Sequence, residues 1–288
     1  TVVEMLDDVL PGYEDDVAAV VRERAEDLGI DFHFGEAAEE WEPVAADGGP
    51  EATGEEAEGD DDGDEPTHVR VVTEDTDGER TEFVAEKCLV AVGREPVTDT
   101  VAPGEAGVEV DDDGFFVTDE QGRTTAESIF AVGDAAGEPM LAHAAMTEGE
   151  VAADAVAGEP AALDQQATPA AVFTDPEIGT VGMTESEAEE AAFEPVVGRM
   201  PLRANGRALT VDEKEGFVRI VADADSEFLL GAQIVGPEAS ELIAEIGLAI
   251  EMGARLEDVA ATVHTHPTLS EAVHEAALAA RGEAIHTQ

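Results

Sequence analysis

The sequence is poor in cysteine, lysine and aromatic residues. Cys88 is the one cysteine among 288 residues, so a framework of disulfide bonds is excluded. Of the 14 basic residues, only Lys87 and Lys214 are lysines. Aromatic residues make up 4% of the chain, which gives no stacking platform for nucleic-acid bases.

The chain also lacks long apolar runs and basic clusters. It has no uninterrupted apolar stretch of about 18 residues, so we expect no membrane span. It has no basic patch to neutralise phosphates, so we expect no nucleic-acid partner. Thr1 begins directly in a predicted strand without a signal peptide, and we therefore expect a cytoplasmic protein. Because the first residue is not Met, we expect a fragment or a processed chain.

Acidic residues are abundant: 69 are Asp or Glu, and the formal net charge is −55. Such an excess is typical of disorder, of an acidic tail or of a halophilic surface. With 43% hydrophobic residues spread along the chain, disorder is not expected over most of its length. We interpret the charge as a halophilic surface, because molar salt screens its self-repulsion.

The first 44 residues predict a strand, a helix and a second strand. Thr1 to Val3 are short and β-branched, residues 14–28 have helical apolar spacing before Gly29, and Ile30 to Phe34 form the next strand. This order is half of a βαβ unit with a parallel sheet.

Residues 46–66 have a different composition. Ten of these 21 residues are acidic, five are glycine and none is basic. We expect a disordered acidic loop at a hairpin tip, with solubility as its simplest role. Val69 to Thr73 and Thr81 to Val84 then predict hairpin strands around the Asp77-Gly78 turn. Lys87 to Val92 predicts a buried strand, which would make Cys88 a small core residue.

The remainder of the chain predicts alternating strands and helices. Ile129 to Val132 is a short apolar run typical of a central parallel strand, and residues 141–157 predict a helix. Further strands are predicted at 169–173, 216–221 and 229–235. Residues 239–252 have the clearest helical spacing, with Ser240 as a candidate cap. Strands with helices on one side indicate an α+β domain.

Two carboxylates follow predicted strands. Glu4 lies where a nucleotide-binding sheet places a ribose ligand, although a solvated glutamate is the simpler interpretation. Asp134 ends the Ile129–Val132 strand and precedes a helix, so it suits cofactor hydroxyls near a helix N-terminus. Its alternative role is to cap that helix.

The segment His264 to Glu271 is the strongest chemical signal. Pro267 can occupy the first position of a helix, with His266 just before it and Glu271 in the first turn. A histidine held by a carboxylate is the arrangement of a general base. Two alternatives remain: a metal site formed by His264, His266 and His274, and a purely structural histidine pair.

Five blocks of sequence resemble the dihydrolipoamide dehydrogenases, a branch of the flavin-dependent disulfide reductases. In the order found in that family, the blocks are Val90–Pro96, Ile129–Asp134, Pro139–His143, Glu245–Gly253 and His264–Glu271. The resemblance covers nearly the whole chain except residues 46–66. One departure is Val97, where such proteins often have Asn.

The resemblance implies an α/β architecture: remnants of two Rossmann-like nucleotide-binding domains, followed by an α+β dimerisation domain. Residues 1–97 would be the carboxy-terminal part of the NAD-binding domain, residues 98–166 a return segment of the FAD-binding domain, and residues 167–288 the dimerisation domain. A homodimer is implied, in which each subunit's base serves the active site of its partner.

The resemblance also assigns roles to single residues. His266 would be the acid–base and Glu271 its orienter. Glu4 would bind the adenine ribose of NAD, while Ala38, at the end of the second strand, and Gly93 would contact NAD by their backbones. Asp134 would bind FAD hydroxyls. The residues whose backbones would line the flavin are Met140, Leu141, Ala142 and His143.

The implied reaction is the oxidation of dihydrolipoamide on a lipoyl-bearing protein of a 2-oxoacid dehydrogenase or glycine cleavage complex. Electrons would pass through a redox disulfide and FAD to NAD⁺. The redox cysteines and the glycine-rich loops belong to an amino-terminal half that this chain lacks, so we expect the chain alone to be inactive. The alternatives are a sister flavin enzyme, either a reductase of the mercuric or glutathione type or a soluble transhydrogenase, and a non-catalytic dimerisation module.

Overall fold

The computed structural model describes residues 1–45 and 67–286. The chain divides into two compact units, Thr1–Val92 and Gly93–Gln288. The predicted disorder of residues 46–66 lies outside the described residues.

The first unit begins with a small parallel sheet. Strand β1 (Val2–Glu4) pairs in parallel with β2 (Phe32–Phe34), and helix α1 (Asp15–Asp27) connects them. Helix α1 buries Val17, Ala18 and Val21, and the chain leaves the helix at Gly29 with φ +86°. The predicted βαβ order is confirmed.

An antiparallel sheet completes the first unit, in the order β3-β4-β5. Its strands are β3 (Glu36–Val44), β4 (His68–Asp75) and β5 (Arg80–Ala85). The predicted hairpin around Gly78 is confirmed, because β4 and β5 pair in register from Val69–Ala85 to Glu74–Arg80.

The prediction of a buried strand at Lys87–Val92 is wrong. This segment has no regular secondary structure, and Leu89 and Val92 are 90% and 93% exposed. Cys88 is likewise exposed rather than a core residue. An apolar run becomes a strand only where a neighbour accepts its backbone hydrogen bonds, and in the described part of the chain no strand pairs with it.

The second unit opens with turns and one long helix. Short helix α2 (Pro103–Ala106) is followed by a 3₁₀ turn at Gly133–Ala135 and by α3 (Ala142–Ala157). Helix α3 is confirmed, but the central parallel strand predicted at Ile129–Val132 is wrong. Among the described residues, its only strand-like pairing is one antiparallel bridge between Arg123 and Phe130.

A five-stranded antiparallel sheet forms the centre of the second unit, in the order β6-β7-β10-β9-β8. Its strands are β6 (Ala170–Val172), β7 (Glu177–Gly182), β8 (Pro195–Pro201), β9 (Phe217–Asp223) and β10 (Leu229–Gly236). The short helices between and after the strands are α4 (Glu185–Glu190), α5 (Gly206–Val211) and α7 (Leu256–Ala261).

Helices α6 (Ala239–Glu251) and α8 (Glu271–Ala280) cover the same face of this sheet. Two glycines on that face permit the close approach. A Cβ at Gly179 would lie 2.5 Å from the carbonyl oxygen of Ala239 in α6, and one at Gly198 would lie 1.9 Å from that of Ala276 in α8. The core lies between sheet and helices, so the predicted α+β arrangement is confirmed.

Helix α6 does not begin with a Ser240 cap. Its N-cap is Glu238, and Glu177 of β7 accepts hydrogen bonds from the Ser240 N–H (3.1 Å) and hydroxyl (2.8 Å). The predicted cap is wrong because a carboxylate from the sheet satisfies the helix end instead. None of the described helices is long and apolar enough to cross a membrane.

Candidate active site

The segment between α7 and α8 carries the strongest chemical signal. Its turn is held by the Thr268 hydroxyl, which donates to the Thr265 carbonyl at 2.6 Å, and by the Asn205 amide, which donates to the Thr268 carbonyl at 3.1 Å. The His266–Pro267 peptide bond is cis, and helix α8 starts only at Glu271. Pro267 therefore precedes the helix by four residues, and its predicted first-turn position is wrong.

His266 and Glu271 nevertheless come together. The Nδ1 atom of His266 lies 2.9 Å from Oε1 of Glu271, while the imidazole is 79% exposed. Because an ionised carboxylate only accepts hydrogen bonds, Nδ1 donates, and the neutral ring then leaves Nε2 free to accept a proton. The contact can therefore orient a general base.

The Glu271 carboxylate is held in its ionised form. Its burial tends to raise the pKa, but the Thr268 N–H at 2.9 Å, the hydrogen bond from His266 and nearby positive charge outweigh this and hold the pKa of Glu271 below its usual range. An ionised carboxylate beside His266 stabilises the protonated imidazole.

His264 lies two residues from His266 but has different surroundings. Its side chain is 8% exposed, and its Nε2 lies 2.7 Å from Oε1 of Glu245 on α6. The His274 ring centre lies 5.7 Å from that of His264. The alternative of a metal site using His264, His266 and His274 finds no support, because no group of three potential ligands forms a metal site in residues 1–45 and 67–286.

Asp134 lies in the 3₁₀ turn before α3. Its carboxylate is half-exposed and lies 3.3 Å from the Arg94 guanidinium, which also donates to the Met140 carbonyl at 2.9 Å. Gly133 lets the turn pack closely against α3, because a Cβ there would lie 2.9 Å from the Ala145 side chain. Asp134 is thus held beside the start of α3. It does not cap this helix, because the N-cap residue is Leu141 and no side chain caps α3 in the described part of the chain.

The four residues predicted to line a flavin form the approach to α3. Met140 and Leu141 precede the helix, and Ala142 and His143 are its first residues. His143 donates from Nε2 to the Pro169 carbonyl at 2.6 Å, so its side chain has its own partner. The first N–H groups of α3 give this end a partial positive charge.

The residues predicted to bind NAD lie apart in the chain. Glu4 is the last residue of β1 and accepts the Leu6 N–H at 2.9 Å. Gly93 begins the second unit and has φ +127°, a conformation that favours glycine. Ala38 is not at the end of the second strand: that strand stops at Phe34, and Ala38 lies inside β3, opposite Thr73 and next to a register shift.

Sequence reasoning missed three residues around these sites: Arg94, Asn205 and Glu245. Arg94 contacts Asp134 and Met140 across 40 or more residues of sequence, and Glu245 contacts His264 across 19. The spacing of residues in the sequence does not reveal such pairs. One weak sequence signal could have identified Arg94: it is one of only 14 basic residues and follows directly after Gly93.

Family models match most of the chain. Residues 1–149 match the pyridine nucleotide-disulphide oxidoreductase model, and residues 168–277 match the dimerisation domain of pyridine nucleotide-disulphide oxidoreductases. The chain belongs to the pyridine nucleotide-disulphide oxidoreductase family. This family, including its dihydrolipoyl dehydrogenases, uses FAD and NAD.

Relatives of this chain include dihydrolipoyl dehydrogenase 2 of Haloarcula marismortui, 71% identical over the whole chain, and the dihydrolipoyl dehydrogenase of Haloferax volcanii, 62% identical. The chain spans 57% and 56% of their lengths. In a crystal structure, LpdA from Mycobacterium tuberculosis is 28% identical with a TM-score of 0.80, covering 96% of this chain and 55% of that one.

The residues near Asp134 fit FAD. An accessible carboxylate suits the hydroxyls of a flavin nucleotide, and the positive end of α3 beside it suits an electron-rich group. For NAD, Glu4 offers a carboxylate at the carboxyl end of a parallel strand, where nucleotides bind in such sheets. The donor sets therefore agree with the cofactors of the family.

Proposed function

We propose that this chain is the carboxy-terminal part of a dihydrolipoyl dehydrogenase and supplies its acid–base pair. The observation that carries the proposal is the 2.9 Å contact between His266 and Glu271, with the rest of the imidazole exposed. The names of the haloarchaeal relatives support the choice of substrate.

In this proposal, His266 accepts a proton at Nε2 from a thiol of dihydrolipoamide. The Nδ1–H group keeps its hydrogen bond to Glu271, whose negative charge stabilises the imidazolium. The resulting thiolate would attack a redox disulfide of the enzyme, which the single cysteine of this chain cannot form, and a mixed disulfide would form as the enzyme S–S bond breaks. His266 would return the proton to the released cysteine thiolate. The second substrate thiol would then displace the other enzyme sulfur, which leaves the substrate as a disulfide and the enzyme cysteines reduced. Its exposure fits a base that meets a large, protein-bound substrate rather than a buried small molecule.

The cofactor residues have separate roles. Asp134 would accept hydrogen bonds from FAD hydroxyls, and the backbone of Met140, Leu141, Ala142 and His143 would hold the flavin at the start of α3. Bound there, FAD would supply an acceptor for the electron pair, and NAD⁺ would supply the final hydride acceptor. Arg94 holds Asp134 and the Met140 carbonyl in place.

On the NAD side, Glu4 binds the adenine ribose and Gly93 approaches the nucleotide by its backbone. Ala38 lies within β3, where the pairing with β4 shifts register between Ala38 and Glu40. The backbone of Ala38 would contact the adenine at this irregular point of the sheet. We assign residues 1–97 to the NAD-binding domain, 98–166 to the FAD-binding domain and 167–288 to the dimerisation domain.

The proposed partner is a lipoyl-bearing protein of a 2-oxoacid dehydrogenase or glycine cleavage complex, in the cytoplasm. The chemistry supports this class of partner because the substrate thiols must reach an exposed base. A pull-down of lipoyl proteins by the full-length protein, detected with an antibody to lipoate, tests it; retention of no lipoyl protein argues against it.

We also propose a homodimer formed through the second unit. Leu248 and Met252, one turn apart at the end of α6, are 64% and 75% exposed, and Val263 is 94% exposed. The His264–Glu245 contact brings the segment containing Val263 to the same helix. Such a cluster of exposed apolar side chains is typical of an interface between subunits.

Replacement of both apolar residues, Leu248→Asp with Met252→Asp, is expected to convert the dimer into monomers, because the buried contact would then contain two carboxylates. Sedimentation velocity in molar potassium chloride measures the change. The control is Phe193→Asp, at an exposed apolar residue after α4, which should remain dimeric. A double variant that stays dimeric places the interface elsewhere.

The replacement His266→Gln tests the catalytic assignment in the full-length protein. We expect kcat with dihydrolipoamide to fall by roughly 10²–10⁴, because the general base is lost. Reduction of a dye by NADH needs no thiol base and should remain unchanged. An unchanged kcat refutes the role of His266, and a wild type that reduces the dye but oxidises no dihydrolipoamide indicates a reductase for another disulfide.

A further inference from the structure

A second histidine–carboxylate pair lies beside the first. His264 is 8% exposed and His266 is 79% exposed, although one residue separates them. His264 reaches from the segment between α7 and α8 to Glu245 of α6, at 2.7 Å. This contact connects the segment that carries His266 to the longest helix on the sheet.

Both ring nitrogens of His264 face oxygen acceptors. Nε2 meets the Glu245 carboxylate, and Nδ1 lies 3.1 Å from the Thr262 carbonyl oxygen. The contact with Glu245 is the shorter of the two, at 2.7 Å. Together the two contacts fix the orientation of the ring between its own segment and α6.

We propose that Glu245 and His264 are positioning residues for His266: they fix the His264–Glu271 segment on α6. This inference rests on the proposed dihydrolipoyl dehydrogenase function. Neither residue contacts the substrate in this role. Their effect passes through the backbone from Thr262 to Thr268 and through the Glu271 carboxylate.

The charges around His264 agree with this arrangement. The titratable groups that face it are Glu245 on α6, Glu271 and His274 on α8, and His266 on its own segment. The electrostatic effect of His264 is among the causes that lower the pKa of Glu271. A cavity of about 300 Å³ is lined by His264, Glu271 and His274.

The kinetic test uses Glu245→Gln and His264→Gln in the full-length protein. We expect kcat with dihydrolipoamide to fall by about 10- to 100-fold while KM changes little, because a misplaced base slows proton transfer without weakening binding. Glu245→Asp keeps the charge and should recover part of the rate. Glu241→Gln, an exposed glutamate on the same helix, is the matched control and should match the wild type.

A second readout separates positioning from loss of structure. NADH-dependent dye reduction should be unaffected in every variant, because it needs no thiol base. A wild-type kcat in both Gln variants overturns the proposal, as does a parallel loss of dye reduction.

The wild-type protein separates this proposal from the proposed function. If the wild type oxidised no dihydrolipoamide, the proposed function would fall. A fall in kcat confined to the Gln variants, with an active wild type and partial recovery in Glu245→Asp, supports positioning by Glu245 and His264.

Discussion

His264 and His266 show how two identical side chains in one motif acquire different chemistry. His266 contacts Glu271, five residues ahead, and leaves one nitrogen exposed. His264 is buried against Glu245 and uses both nitrogens. A free nitrogen is required to take a proton, so the first arrangement suits a base and the second suits a fixed support.

The state of Glu271 predicts a pH-dependent stability. Its pKa is lowered in the folded protein, so its stabilising effect is present above the ordinary value of 4.5 and is lost as the pH falls through the folded value. Glu271→Gln should therefore lower the free energy of unfolding by about 1 kcal/mol relative to the wild type near neutral pH. The difference should shrink as the pH falls through the lowered pKa of Glu271.

Urea unfolding at fixed salt over this pH range measures the difference. Glu189→Gln, at an exposed glutamate of α4, is the control and should follow the wild type at every pH. A gap between Glu271→Gln and the wild type that stays constant into acid would mean that the ionised carboxylate does not stabilise the fold.

At the scale of elements, the contact between the sheet and its helices depends on small residues. Gly198 of β8 lies against the backbone of α8, where a Cβ would be 1.9 Å from the Ala276 carbonyl oxygen and 2.4 Å from the Ala280 nitrogen. Backbone atoms of a helix cannot move aside without breaking its hydrogen bonds. The position of α8, and with it Glu271, therefore depends on this glycine.

Gly198→Ala is expected to destabilise the protein by about 3 kcal/mol, because the extra methyl group overpacks the interface. Gly149→Ala is the matched control: Gly149 lies inside α3, and an added methyl group there would meet no described atom of a neighbouring element within 4 Å. That change should stabilise the protein by about 0.5–1 kcal/mol. Equal melting temperatures for the two variants would contradict this account of the contact between β8 and α8.

Sequence patterns predicted the elements with different success. Helices α1, α3 and α6 were predicted correctly because a repeated apolar face needs only local information. The apolar runs at Lys87–Val92 and Ile129–Val132 were predicted as strands and are not. A strand also needs a neighbouring strand, which a single run of sequence cannot reveal. Strands β7 and β8 were missed for the same reason.

At the scale of the whole molecule, the large negative net charge is the main influence on folding stability. With a net charge of −55, most carboxylates have no basic residue available, because the chain has 69 acidic and 14 basic residues. Repulsion between them opposes folding in dilute buffer. At about 1 M salt the Debye length is roughly 3 Å, so this repulsion largely disappears.

We expect the melting temperature to rise strongly between low and molar potassium chloride. Differential scanning calorimetry at matched pH measures it, and sodium chloride at the same concentration separates general screening from an effect specific to potassium. Equal melting temperatures in low and molar salt would contradict the halophilic interpretation.

By itself, the sequence determined the strongly acidic composition, the βαβ beginning, the long helices and the proximity of His266 to Glu271. These depend on composition or on residues close in the chain. Tertiary structure alone decided the contacts of His264 with Glu245, of Asp134 with Arg94 and of Ser240 with Glu177. Each pairs residues 19 or more positions apart, and only the folded backbone brings such residues within hydrogen-bonding distance.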